Sequence, residues 1–197
     1  MGEQYGAPYN TFPFSMWEIG KSGFAEWGAL CGTLVGAAGA LAMFWGRKDR
    51  DEMVDELFRW YEITAFPLYQ PTNLESKVGL PKAKLPTSVA DSVLCHISVS
   101  RWAHTNGLPA NGKERSERCA RITADVARKT AEIINAKMDG KYKNGMAFSK
   151  TQKGCTTPDC HGGSADKFKV PNLKGKMDCE PCHTGSKAVL DKRKDHP

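Results

Sequence analysis

Two cysteine pairs near the end of the chain are each followed directly by a histidine. The second pair reads Cys179-Glu-Pro-Cys182-His183, and the first reads Cys155-Thr-Thr-Pro-Asp-Cys160-His161, with four intervening residues instead of two. In a C-x-x-C-H motif the two thiols add to the vinyl groups of a porphyrin and the histidine reaches the iron. The pattern predicts two c-type haems, with thioether links at Cys155, Cys160, Cys179 and Cys182 and proximal ligands His161 and His183.

Two other kinds of site compete for the same four cysteines. They could hold one tetrahedral zinc ion, as in a zinc ribbon, or form disulfides. A zinc ribbon requires no histidine after each second cysteine and usually contains β-hairpins, whereas this segment has both histidines and no strand pattern. Residues 141–197 also have few aliphatic side chains and need another hydrophobic interior, which two porphyrins would supply. Haem is therefore the favoured interpretation.

Each haem iron has a sixth coordination position, and histidine is the favoured ligand for it. The candidates are His96, His104 and His196. We expect His96 first, because it stands in an apolar run where a buried imidazole needs a partner. Met146 and Met177 rank lower, since a residue so close to an attachment motif rarely reaches the opposite face of its own haem.

Three further cysteines, Cys31, Cys95 and Cys119, lie far apart on predicted helices. They can be buried packing residues, since a free cysteine behaves as a small hydrophobe. They can form one disulfide with a spare thiol. They can also hold iron through three thiolates and a fourth ligand from elsewhere. Spacing alone does not decide among these alternatives.

The elements that must position these residues are mainly helical. Apolar periodicity and capping residues predict helices over about 25–45, 51–63, 88–106 and 114–138, with a proline-rich loop at 67–86. Gly107 and Gly140 follow the last two helices, as expected for helix ends. We therefore predict a mostly α protein, with a helical domain at 1–145 and a small irregular dihaem segment at 146–197.

Composition excludes two classes of protein. The chain has 28 Lys and Arg against 22 Asp and Glu, and this excess is too small and scattered to indicate nucleic-acid binding. The uncharged run 28–45 is long enough to suggest a membrane span, but half of it is Gly and Ala, which insert weakly. We therefore interpret it as a core helix and expect no membrane span.

Several segments together resemble the split-Soret cytochrome c family. They are Trp27-Gly-Ala-Leu-Cys31-Gly32, the stretch Leu94–Trp102 and the stretch 114–121, followed by the two haem motifs. The resemblance implies a non-haem iron or [2Fe–2S] centre held by Cys31, Cys95 and Cys119. It also implies a homodimer with closely stacked haems and an axial histidine donated across the interface. Expanded haem motifs such as Cys155–His161 occur in some multihaem cytochromes of sulfate-reducing bacteria.

The leading functional hypothesis is an electron carrier that exchanges electrons with redox partner proteins. Two bis-histidine haems leave no site for substrate, so their chemistry is outer-sphere transfer. A small multihaem reductase with an open metal site is the alternative, and a zinc-ribbon protein is the third. Bacteria attach haem c outside the cytoplasm, so we expect a periplasmic protein. The chain opens without a visible signal peptide, which we interpret as trimming.

Overall fold

Five α-helices and a short 3₁₀ helix make up most of the ordered structure. The computed structural model describes residues 2–71, 84–149, 152–153, 175–178 and 181. The helices are α1 (Gly2–Tyr5), the 3₁₀ helix (Phe14–Gly20), α2 (Gly32–Phe44), α3 (Arg47–Ile63), α4 (Cys95–Asn106) and α5 (Lys113–Met138). The predicted mostly α class is confirmed.

Helices α2, α3 and α5 pack around one hydrophobic core. Their apolar stripes contribute Leu34 and Leu41, Met53 and Leu57, and Ile122 and Val126, all at most 2% exposed. Burial of such side chains at helical spacing is the main source of stability for helices of this length. The described helices include none that is long and apolar enough to cross a membrane. The predicted core role of the 28–45 run agrees with the buried face of α2.

Two predicted helix starts are wrong, and both errors lie next to cysteines. The first long helix starts at Gly32 rather than near residue 25, because residues 24–26 and Gly28 adopt positive φ angles of 48–74°. Such angles interrupt a right-handed helix. The region near Ser88 is not a helix N-terminus. Strand β2 (Ser88–Val89) pairs there with β1 (Ala65–Phe66), and α4 begins only at Cys95.

The two glycines that were predicted to follow helices do so in the structure. Gly107 follows α4 with φ 63°, and Gly140 follows α5 with φ 68°. A left-handed residue at this position ends a helix at little cost when it is glycine.

Described residues of the carboxyl-terminal segment contact helix α3. Gln152 Nε2 and the Asp178 amide donate to the buried Glu62 carboxylate over 3.1 and 3.3 Å. Lys176 Nζ forms an ion pair with Asp55 over 2.6 Å. The described residues of this segment are therefore held against helix α3. The boundary at 145/146 stays a prediction.

Small residues of α2 let the 3₁₀ helix approach closely. A Cβ atom on Gly32 would lie 2.1 Å from the Gly20 carbonyl oxygen, whereas one on Gly36 would meet no atom within 4 Å. We predict that Gly32→Ala lowers the free energy of unfolding by about 1–3 kcal/mol, as overpacking does. Gly36→Ala, the matched control, raises it by about 0.5–1 kcal/mol, because alanine favours the helix. Denaturant titration measures both, and equal effects would contradict this account of the packing.

Candidate metal centre

One cavity of about 560 Å³ contains all three cysteines of the helical domain. Cys31, Cys95 and Cys119 line it, although the sequence separates them widely. Its walls come from the 3₁₀ helix, the start of α2, the start of α4, the first half of α5 and Tyr61 of α3. The three thiols are free, so no disulfide joins them.

A short backbone pairing brings Cys31 and Cys95 together. Leu30 and Leu94 form an antiparallel bridge, in which the Cys31 amide donates to Val93 O over 2.9 Å and the Cys95 amide donates to Ala29 O over 2.7 Å. Cys31 is the N-cap of α2, and Cys95 is the first residue of α4. Helix N-termini carry partial positive charge and stabilise anions. Both sulfur atoms are therefore at positions that favour a thiolate or a bound anionic group.

Two glycines permit this approach of the chain. Gly23 has φ +74°, and a Cβ atom there would lie 2.8 Å from Cβ of Cys95. Gly28 has φ +69°, and a Cβ atom there would lie 3.0 Å from Cβ of His96. A larger residue at either position would be strained and would separate the loop from α4. The irregular backbone of residues 21–31 is therefore needed to bring Cys31 close to Cys95.

Burial opposes ionisation of two of the thiols. Burial, and then the charges of Cys31 and Cys119, raise the pKa of the Cys95 thiol to about 11. Burial also raises the pKa of Cys31, partly offset by hydrogen bonds with the Tyr61 side chain and the Thr33 backbone. Cys31 and Cys95 therefore need added positive charge to be thiolates at neutral pH. A metal ion or cluster is the usual source of such charge.

A buried arginine lies beside the three thiols. Arg118 is 1% exposed and also lines the cavity; its Nη2 donates to Ser98 Oγ over 3.0 Å, and its guanidinium lies 5.4 Å from the Trp102 ring centre. Within the described part of the chain it forms no ion pair with a carboxylate, and its Nε–H has no partner. Desolvation lowers its pKa. An isolated buried cation is costly, so the site is suited to an anionic group such as metal-bound thiolates.

The three sulfur atoms border one cavity. Among the described residues, no three His, Cys, Asp or Glu side chains are placed to hold a single metal ion. The donor set and the buried cation fit a thiolate-bound metal group. Soft thiolate ligands select iron–sulfur clusters, zinc or copper(I).

Sequence reasoning missed three cavity residues, Tyr61, Ser98 and Arg118. Arg118 lies four and eight residues before the buried Ile122 and Val126, so helical spacing places it on the core face of α5. That position was a usable signal. Tyr61 had the same kind of signal, since helical spacing places it on the buried face of α3. Ser98 gave none, because its link to the cavity depends on tertiary packing.

The candidate haem residues divide into two groups. Histidines His96 and His104 lie on α4 and are exposed, so the expectation of a buried His96 is wrong: the turn that directs Cys95 into the cavity directs its neighbour to solvent. The other predicted haem residues lie outside the described residues: Cys155, Cys160, His161, Cys179, Cys182, His183 and His196. Their roles stay predictions.

Residues 1–133 match a protein family described as "Putative redox-active protein (C_GCAxxG_C_C)". The pattern in this description contains four cysteines, and the matched part of the chain contains three: Cys31, Cys95 and Cys119. The cysteines that line the cavity are therefore the cysteines of the segment that this family shares.

A relative of known identity and a solved structure of the same protein both match the whole chain. The split-Soret cytochrome c of Desulfovibrio desulfuricans is 49% identical over 199 residues, which cover 100% of this chain and 69% of the relative. A solved structure of that cytochrome, described as having a novel iron centre, superposes with a TM-score of 0.85 and 47% identity over 100% of this chain and 80% of the other. The protein belongs to the split-Soret cytochrome c family.

Proposed function

We propose that this protein is an electron carrier with two covalently bound c-type haems and a separate cysteine-held iron centre. The family name and the two Cys-Cys-His motifs support the haems. The novel iron centre of the solved relative supports the additional metal. Bis-histidine ligation closes both haem irons to substrate, so the chemistry is electron transfer. We expect this activity in the periplasm, with partner proteins that exchange electrons with the haems.

The main evidence for the iron centre is that three cysteines from distant parts of the sequence line one cavity beside a buried cation. Cys31, Cys95 and Cys119 supply the thiolates, and Arg118 supplies the compensating charge. We propose a [2Fe–2S] cluster, which the family resemblance implies for these three cysteines and for which thiolates are the usual ligands. Such a centre would store and release one electron. The protein residues hold it, shield it from water and set its potential.

Helix α3 connects the two redox regions. Tyr61 lines the cavity together with Cys31, and the next residue, Glu62, accepts a hydrogen bond from the amide of Asp178, which directly precedes Cys179. Consecutive residues of one helix therefore touch the cysteine cavity and the segment that leads into a haem motif. We propose that this short route carries electrons between the iron centre and a haem.

An exposed apolar surface supports a homodimer. Phe14, Met16 and Ile19 of the 3₁₀ helix are more than 50% exposed, and Trp27 is 87% exposed. Large exposed apolar surfaces of this kind are typical of interfaces. The exposed His96 is adjacent, since its amide donates to Gly28 O over 3.0 Å. We propose that this surface pairs with a second copy and that His96 is the axial ligand given across the interface.

Absorption spectra of the purified protein, oxidised and reduced, test the function directly. We expect c-type haem bands in a low-spin form in both states, with no carbon monoxide complex, and total iron above two atoms per chain. High-spin iron that binds carbon monoxide would indicate the reductase instead. A colourless protein with bound zinc would contradict the proposal.

Replacing single cysteines tests the iron centre separately from the haems. We predict that Cys31→Ser, Cys95→Ser and Cys119→Ser each remove most of the non-haem iron, because each deletes one thiolate ligand. Haem absorbance per chain stays constant and is the internal control. Iron analysis against haem content measures the effect. If non-haem iron is the same in all three variants, the thiols are packing residues.

Replacing the exposed histidines of α4 tests the axial ligand. We predict that His96→Ala converts one haem per chain to a high-spin spectrum and leaves the melting temperature within a few degrees, because an exposed side chain contributes little to stability. His104→Ala tests the other candidate of the same helix in the same way: His104 is also exposed and lies roughly 12 Å further along the axis. If both haems stay low-spin in His96→Ala, another histidine is the axial ligand at the sixth coordination position.

A further inference from the structure

We propose that Arg118, Ser98 and Tyr61 form a hydrogen-bonded chain that delivers positive charge to the Cys31 sulfur and thereby raises the reduction potential of the iron centre. The inference rests on the proposed iron centre and concerns residues that are not themselves ligands. All three line the cysteine cavity and are at most 2% exposed. They belong to α5, α4 and α3, so three elements converge to build the chain.

The described contacts fix the order of the chain. Arg118 Nη2 donates to Ser98 Oγ over 3.0 Å, and the hydroxyl groups of Ser98 and Tyr61 are 3.1 Å apart, with Tyr61 donating. Cys31 lines the same cavity, and the Tyr61 side chain lowers the pKa of its thiol, which burial raises. The guanidinium lies 5.4 Å from the centre of the Trp102 ring, whose Nε1 donates to Pro86 O over 2.8 Å. The arginine therefore has a fixed position behind the serine.

The described hydrogen bonds place the guanidinium two bonds away from the Tyr61 hydroxyl. Arg118 Nη2 and Tyr61 both donate to Ser98 Oγ, and Tyr61 lines the cavity together with Cys31. A metal-bound thiolate only accepts hydrogen bonds, so with a centre in the cavity the hydroxyl groups of Ser98 and Tyr61 can turn and donate toward the sulfur. Hydrogen bonds that are oriented in this way reinforce one another in a medium of low dielectric constant.

The charge of the centre gives the sign of the effect. A reduced thiolate-bound centre carries one more negative charge than the oxidised one. A buried cation and an O–H donor stabilise the more negative state more strongly, so they raise the potential. The same interactions favour thiolate over thiol and therefore strengthen retention of the metal.

Arg118 differs from an arginine with a purely structural role, because its buried Nε–H has no hydrogen-bond partner among the described residues. Arg121, on the same helix, donates to Glu117 over 2.9 Å and to Gln70 over 2.6 Å, which are ordinary partners for a buried guanidinium. Arg118 has neither a carboxylate nor an Nε partner among the described residues. A cation of this kind needs an anion, and the nearby candidates are the cavity sulfurs.

The test measures the midpoint potential of the non-haem centre by electron paramagnetic resonance during redox titration, together with iron bound per haem. Tyr61→Phe removes only the terminal donor, Arg118→Met removes the charge at similar length, and Arg118→Lys keeps the charge. We expect a lower potential in Tyr61→Phe and a still lower one in Arg118→Met, with substantial recovery in Arg118→Lys. Iron retention should weaken about 10- to 100-fold in Arg118→Met, as for other outer-shell partners of metal ligands.

Two matched controls separate this role from a merely structural one. Tyr142→Phe removes a tyrosine hydroxyl that donates to Glu52 O, away from the cavity. Lys129→Met removes a cation of α5 that pairs with Glu56 over 2.7 Å and lies ten residues beyond Cys119, roughly 15 Å along the helix. Both are expected to leave the potential of the centre unchanged, even where Lys129→Met lowers the melting temperature.

The possible results distinguish a failure of the hydrogen-bonded chain from a failure of the proposed iron centre. A normal potential in both Tyr61→Phe and Arg118→Met, with iron still bound, overturns the hydrogen-bonded chain and leaves the iron centre intact. A shift in Lys129→Met as large as that in Arg118→Met also overturns it, because the effect would then be general electrostatics. Wild-type protein with haem but no additional iron would refute the proposed iron centre itself.

Discussion

The backbone pairing between residues 29–31 and 93–95 is the constraint on which the rest of the site depends. It starts helices α2 and α4 side by side and places Cys31 and Cys95 at their positive ends. The chain meets this constraint with an irregular stretch before α2 that contains glycines and several residues at positive φ. Such conformations cost free energy and persist where the surrounding structure requires them.

The cavity also concentrates charge that the described protein atoms do not balance. A buried guanidinium has no carboxylate partner, and burial raises the pKa of two neighbouring thiols. Thiolates bound to metal would resolve both problems at once, because the ligand charge would pair with the arginine and the metal charge would keep the thiols ionised. Metal binding and the stability of the helical domain should therefore be coupled. Helix α3 extends this coupling to the segment before Cys179 through Glu62.

The local features of the fold could be predicted from sequence, and the long-range ones could not. Helical periodicity and terminal glycines located α5 almost completely. The start of α2 was misplaced because positive φ angles have no clear signature at Phe24 or Ala25, and β2 was missed because a two-residue strand has no periodicity. The cysteines were associated with one another only through family resemblance, since no local pattern records that residues 31, 95 and 119 meet. Arg118 had a signal, its place on the buried stripe of α5, but a charged residue is ordinarily assigned to the surface.

Diffraction data from crystals of the purified protein, collected at the iron absorption edge, test the central claim most directly. If the protein holds two haems and a cysteine-bound iron centre, we expect two iron positions at the haems and a further iron peak in the cavity among Cys31, Cys95 and Cys119, within bonding distance of their sulfurs. Anomalous density at the haems alone, in a protein whose metal analysis gives only two irons per chain, would contradict it.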